Sequence, residues 1–416
     1  MLLLYKIFLS VALLVLVLGL TNKQLKRYWL NGPFVAMMVG IATGPHGFNI
    51  VNPGGTAQVF LLLEQASRIT MTIGLLAAGL QLTPQTIRGQ LKSIVLTLAL
   101  IMPLMWVITS LLAYSILALP LAMAVLIGGI LTPTDPIVSS TILNGDLAEK
   151  NIPQRIKTTI LTESGVNDGL GFPFVAFALV LVEGSHESIG DWLTHAVMLK
   201  TVLTMILAGA IGLGFAKLQM WAEARDWLEK QSFLTLSFAL CLLVTAFFYL
   251  VGMNEILAAF VTGLAYSGHI DGQARSAESR AQETLDRLCS LPFFYILGFC
   301  LPFPLWQEQW TVLLGFALAV LFLRRPLAFI LTYPLFRGRF VRQEISFMAW
   351  FGPLGVAAIY YIVTEGSKHQ QLDVWRIASF VIFCSVVVHG LSSSPLTQLI
   401  GQTLRRGSQT VPKQQG

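Results

Sequence analysis

The sequence predicts an all-α, polytopic membrane protein of about thirteen transmembrane helices, with inverted repeats and two broken helices. Three observations carry that expectation. Of the 416 residues, 55% are apolar and only 12% are charged, against about 25% charged in an average soluble domain. Apolar runs of spanning length, near ~20 residues, follow one another to about position 402 with only short polar connections. Lysine and arginine gather in every second loop. No stretch is long and polar enough for a separate soluble unit, so residues 1–416 read as a single transmembrane domain, with a short cytoplasmic tail at 403–416.

In order, the runs lie at 3–21, 29–49, 57–82, 90–117, 120–143, 155–183, 193–217, 232–251, 254–268, 287–303, 310–336, 344–363 and 376–402. The first lacks a small-residue cleavage site. Its nearby positive charge, Lys23, Lys26 and Arg27, follows the apolar run, so it reads as a retained span and not as a signal peptide. The third run holds Glu64 and Arg68 at i and i+4, where they can neutralise each other. The ninth and tenth are the shortest or most broken, the tenth by Pro292 and Pro302.

Loops after odd-numbered runs carry the basic residues, among them Arg88, Lys92, Lys150, Arg155, Lys157, Lys217 and Arg225. Loops after even-numbered runs carry almost none apart from Lys368 and Arg376. The alternation predicts an outside N-terminus and a cytoplasmic C-terminus. Topology therefore accounts for the formal charge of +6, and no nucleic-acid partner is expected, because the basic residues are scattered singly. Two amphipathic stretches, Trp221–Lys230 and Gln273–Arg287, read as short helices lying at the interface. Cys241, Cys300 and Cys384 lie inside apolar runs and show no metal-ligand spacing, which makes them filler. His389 is the one histidine well inside a run, and a hydrogen-bonded helix contact suits it better than a proton relay.

The informative residues are ionisable groups within apolar runs, which are costly in hydrocarbon and mark function or pairing. The sixth run contains Glu163-Ser-Gly-Val-Asn-Asp-Gly-Leu-Gly-Phe-Pro-Phe174, and the fifth contains Thr134-Asp135-Pro136 between two prolines. The fifth run breaks at Pro133 and Pro136, the twelfth at Phe351-Gly352-Pro353-Leu354-Gly355. Such a pair of interrupted helices in corresponding halves points to a midplane binding site. Each proline frees the carbonyl four residues earlier, so Pro136 would expose the oxygen of Thr132 and Pro173 that of Gly169. Ser164, Asn167 and Asp168, at i, i+3 and i+4, share one helix face. With Thr134 and Asp135 they make an all-oxygen pocket suited to a hard monovalent cation such as Na+, with Asp168, Asp135, Ser164 and Thr134 as its ligands. Glu163 points elsewhere and needs a partner. Arg324 and Arg325 in the eleventh run are, besides Arg68, the only arginines deep in another span, and an ion pair between Glu163 and Arg325 would be structural, holding the sixth and eleventh spans together.

On these motifs the chain resembles the monovalent cation:proton antiporters of the first branch, the NhaP-like and sodium/hydrogen exchanger family. Glu163–Phe174 and Phe351–Ile359 look closest to fungal plasma-membrane antiporters and their bacterial relatives. The resemblance implies a secondary active antiporter, not an enzyme, that exchanges Na+, Li+ or K+ for H+ by alternating access. Asp168 would carry proton or cation in turn, helped by Thr134, Asp135, Ser164 and Asn167. It implies no cofactor, a homodimer of interleaved core and dimerisation bundles, and a place in the lipid bilayer of the plasma (bacterial inner) membrane. Asn167 before the key aspartate resembles the electroneutral members. One departure stands out: many exchangers carry an arginine where this chain has Leu354, which leaves the balancing of helix-end dipoles unassigned. Two other readings compete. An intramembrane aspartyl protease would use Asp135 and Asp168 as a dyad, but Val166-Asn167 stands where a Gly-x-Gly-Asp motif would be needed. A non-exchanging cation channel or sensor on the same fold is the other.

Overall fold

Hydrocarbon offers no water to unpaired N–H and C=O groups, so a chain this apolar is driven into structure that satisfies its backbone locally. The computed structural model describes residues 2–27, 30–136, 138–139, 146–183, 189–228, 232–269, 284, 288–365 and 371–409. Among them the regular structure is helical, and the one extended pairing is an isolated bridge between Arg337 and Phe340.

The principal helices are α1 (Leu2–Arg27), α2 (Gly32–Thr43), α3 (Thr56–Gln81), α4 (Pro84–Ile116), α5 (Leu121–Ile130), α6 (Gln154–Glu183) and α7 (Ile189–Glu223). They continue with α8 (Ser232–Leu250), α9 (Glu255–Ser267), α10 (Leu288–Cys300), α11 (Trp310–Leu331), α12 (Arg342–Trp350), α13 (Val356–Glu365) and α14 (Gln371–Gln409). Among the described residues, seven helices are long and apolar enough to cross a membrane: α1, α3, α4, α6, α7, α11 and α14. At the other expected positions the apolar helices are shorter. Two of the reasons are legible in the sequence. Pro133 and Pro136 follow the end of α5, and Gly352 and Pro353 separate α12 from α13.

Two boundaries differ from expectation. The amphipathic stretch from Trp221 does not form its own helix, because α7 continues to Glu223 and a turn with Asp226 at φ 58° follows. The expected stretch from Gln273 to Arg287 lies, apart from residue 284, outside the described residues. The tail expected from residue 403 is a continuation of α14, which passes Pro395 and reaches Gln409.

Helix α6 holds the candidate site and is seated against α9, which also packs on α3, α7 and α8. Small residues make that approach possible, as is general where membrane helices meet closely. A Cβ at Gly165 would overlap the ring of Phe260, and one at Gly169 would stand 2.5 Å from Leu257 Cβ. Gly165→Leu should therefore push α9 away, at a cost of about 1–3 kcal/mol typical of overpacking, read as a lower melting temperature in detergent. Combining it with Phe260→Ala should recover part of the loss. A double variant no more stable than Gly165→Leu alone would show that the contact does not set this packing.

Candidate functional site

The two interrupted helices meet at their breaks, and hydrogen bonds there satisfy several of the backbone groups that the breaks expose. The Asp135 N–H donates to Pro353 O at 2.8 Å, joining the two unwound segments directly. On the second break, Leu354 N–H donates to Ser385 Oγ of α14 at 2.8 Å, and His389 Nε2 lies 3.2 Å from Trp350 O. On the first, Thr134 N–H donates to the Asn167 side-chain oxygen at 3.1 Å, and Thr132 N–H to Gly129 O at 3.2 Å. Unwound backbone at membrane depth is tolerated only when it is satisfied in this way.

The helix ends at the crossing face charges of matching sign. Asp135 Oδ1 accepts the Val138 N–H at 3.1 Å, and Oδ2 accepts the Val356 N–H that opens α13. One carboxylate thus lies at the start of two helical segments, where the peptide dipoles favour negative charge. Gly355 leaves room for it, since a Cβ there would collide with Asp135 Oδ2. At the opposite ends, Arg324 donates from Nη1 to Leu131 O, just past α5, and from Nη2 to Gly352 O at 2.6 Å, just past α12. A guanidinium fork can serve both terminal carbonyls at once, as a lysine ammonium cannot. The balance that Leu354 leaves open is thus supplied from α11.

Arg325 faces Glu163. Nη1 and Nη2 lie 2.6 and 2.8 Å from the two carboxylate oxygens, and Nε donates to Met348 O at 2.7 Å. Both side chains are buried, and the fork-to-fork geometry joins α6 to α11. Two successive arginines both reach the interior because Val320–Arg324 forms a π-helical turn. Pro326 supplies no N–H for the carbonyl of Phe322, which releases the α-helical register at that point.

The remaining site residues divide into two groups. Asn167 is spent on geometry: its amide nitrogen donates to Thr134 Oγ1 at 2.7 Å while its oxygen takes the Thr134 N–H. Thr134 Oγ1 also lies 3.1 Å from Ser164 Oγ, so these three side chains fasten the first break to α6. Asp168 is different. It is 1% exposed, and its Oδ1 has no hydrogen-bond partner among the described residues.

Sequence reasoning missed several residues here. The Gly169 carbonyl that Pro173 frees accepts a hydrogen bond from Asn254 Nδ2 at 2.9 Å. Asn254 simultaneously caps α9 by accepting the Leu257 N–H at 3.0 Å, and an asparagine before Glu255 was the signal for that cap. The Tyr361 hydroxyl donates to Asp168 O. Its neighbour Tyr360 donates to Glu255 at 2.8 Å, and Glu255 lies 3.5 Å from Arg68, which holds Glu64 at 3.0 Å. The local Glu64 and Arg68 pair is therefore part of a larger cluster linking α3, α9 and α13.

Removing one member of the Glu163 and Arg325 pair leaves the other charge buried and alone. Glu163→Gln should cost about 3–5 kcal/mol, seen as low yield and a lower melting temperature, and Glu163→Gln with Arg325→Met should recover much of it. A stable Glu163→Gln protein that has lost only its stabilisation by Na+ would move Glu163 from the scaffold to the ion.

This geometry can be set beside known proteins. Na(+)/H(+) antiporter 2 of Zygosaccharomyces rouxii is 28% identical over 400 residues, covering 88% of this chain and 49% of that protein. The chain thus spans about half the length of that relative. K(+)/H(+) antiporter NhaP of Alkalimonas amylolytica is 24% identical, covering 91% of this chain and 64% of its own. The solved structure of the sodium proton antiporter MjNhaP1 from Methanocaldococcus jannaschii is 20% identical and shares the fold, with a TM-score of 0.76 over 97% of this chain and 98% of that one. The family model described as sodium/hydrogen exchanger, transmembrane, matches residues 10–399, which include both breaks, α6 and the paired arginines of α11; the chain belongs to the transmembrane sodium/hydrogen exchanger family.

Proposed function

We propose that this protein is a secondary active antiporter that exchanges Na+, or Li+ or K+, for H+ by alternating access, with Asp168 holding proton and cation in turn. One observation carries the reading: a buried carboxylate oxygen without a partner, Oδ1 of Asp168, stands on the helix that is fastened to the crossing. A carboxylate in such a place is stable only when a proton or a cation neutralises it. Ser164, Thr134 and Asp135 offer further oxygens around it, and Asn167 positions Thr134. Both oxygens of Asp135 already accept backbone N–H groups, which suits a fixed countercharge better than half of an aspartyl-protease dyad sharing one proton.

The loop charges support about thirteen crossings, with the N-terminus outside and the C-terminus cytoplasmic, in a plasma or bacterial inner membrane. Six of those crossings would use helices shorter than a full span, among them the broken α5 and the α12 and α13 pair. A homodimer, with a core bundle built around the crossing and a separate dimerisation bundle, completes the reading.

If one carboxylate serves both ions, they compete. The apparent KM for Na+ should rise as pH falls, by up to about tenfold per pH unit once the proton dominates. Asp168→Asn should abolish exchange in proteoliposomes while keeping or raising the melting temperature, because it removes an unpartnered buried charge. Exchange at the normal rate by Asp168→Asn would end the assignment.

Charge bookkeeping further gives one cation for one proton. Asn167 cannot titrate and Asp135 is committed to two helix starts, which leaves Asp168 as the exchanging group. Cation-driven dissipation of a pH gradient should therefore run at the same rate with the voltage clamped or imposed. Net current on a supported membrane would mean that a second group, with Asp135 the first candidate, also exchanges its proton.

A further inference from the structure

A crevice of about 590 Å³ opens between α12 and the part of α14 that follows Pro395, within the range of about 300–1,000 Å³ that small-molecule pockets occupy. Phe347, Trp350 and Phe351 form one wall, and Leu396, Leu399 and Ile400 the other. Apart from Ser346 on α12, its polar lining residues are Arg342 and Gln343, at the start of α12, and Thr403. Among the described residues no acidic side chain lines it. Glu344, the nearest in sequence, is buried and turned to Arg155, which it holds in a two-pronged pair at 2.7 and 2.8 Å.

Arg342, the first residue of α12, lines the crevice, and Arg337 and Arg339 stand in the turn just before it; all three are exposed, and none forms an ion pair among the described residues. Three arginines within six residues, beside an apolar slot, match an amphipathic molecule with an anionic head and a long chain. On the loop-charge topology they lie at the cytoplasmic leaflet, where anionic phospholipid is the abundant molecule of that kind. Arginine binds a phosphate through two parallel N–H groups.

We propose that this crevice is a binding site for one anionic phospholipid, with an acyl chain between α12 and α14 and the phosphate held by Arg342. The slot ends at Phe351, next to Gly352, whose carbonyl Arg324 holds, and its wall includes Trp350, whose carbonyl His389 approaches. A chain seated there packs against the end of the half-helix that feeds the crossing. Lipid bound at this point stiffens the second break.

The test uses the full chain, purified in mild detergent and examined by native mass spectrometry with dioleoyl phosphatidylglycerol or dioleoyl phosphatidylcholine. The wild type should retain phosphatidylglycerol at least about fivefold better than phosphatidylcholine. Ser346→Trp, which fills the slot from an exposed position, should abolish that retention, and Arg342→Ala should reduce phosphatidylglycerol to the level of phosphatidylcholine. Leu399→Trp, also at an exposed position, serves as a second filler should Ser346→Trp fold poorly. Equal retention of both lipids by the wild type would overturn the proposal, as would retention of phosphatidylglycerol by a folded filler variant. Because the readout is lipid mass, it also holds for Asp168→Asn and is independent of whether the protein exchanges ions.

Discussion

A helix opened inside a bilayer exposes backbone groups that neither water nor neighbouring turns can satisfy, and the interior of this protein is built around closing that account twice. The two breaks answer each other through the hydrogen bond from Asp135 to Pro353. What remains is taken by side chains from α6, α11 and α14: Asn167, Arg324, Ser385 and His389. Each of these looks dispensable if the helices are considered singly. Together they are the condition under which the breaks exist in hydrocarbon.

The same arrangement sorts the buried charges by role. Asp135 faces two helix starts and Arg324 two helix ends, so each neutralises dipoles as well as donating or accepting hydrogen bonds. Glu163 and Arg325 neutralise each other. Glu64, Arg68 and Glu255 share charge within a cluster of their own. After this pairing Asp168 is the buried site carboxylate whose Oδ1 no protein group meets. A structural charge in hydrocarbon is expected to be paired, and Oδ1 of Asp168 departs from that expectation among the described residues.

Much of this was legible from residue types alone. Proline and glycine mark both breaks, since no other residues so directly remove a donor or permit the approach seen at Gly355. Carboxylates in apolar runs mark α6 and Asp135. Which atom binds which was not legible, because register between distant segments decides it. Asn167 reads as an ion ligand by chemistry, yet both ends of its amide are used to hold Thr134. The Gly169 carbonyl reads as free by helix geometry, yet Asn254, 85 residues away, occupies it. Arg324 reads as a neighbour of Arg325, and only the π-helical turn before Pro326 turns both inward.

The contrast between Gly169 and Asp168 shows how the site separates holding from exchanging. Pro173 opens the ladder of α6 at Gly169, and an unoccupied carbonyl there would compete for any cation that reached Asp168. Asn254 removes that competitor while capping α9, and the Tyr361 hydroxyl takes the carbonyl of Asp168 itself. Each of these two backbone oxygens thus accepts one hydrogen bond, from α9 and from α13. On the proposed reading, side-chain oxygens, that of Asp168 first among them, would supply most of the coordination of a bound cation. A single negative charge with few competing ligands suits an ion that has to leave as readily as it arrives, because binding that is too complete would leave no route for the proton to displace it.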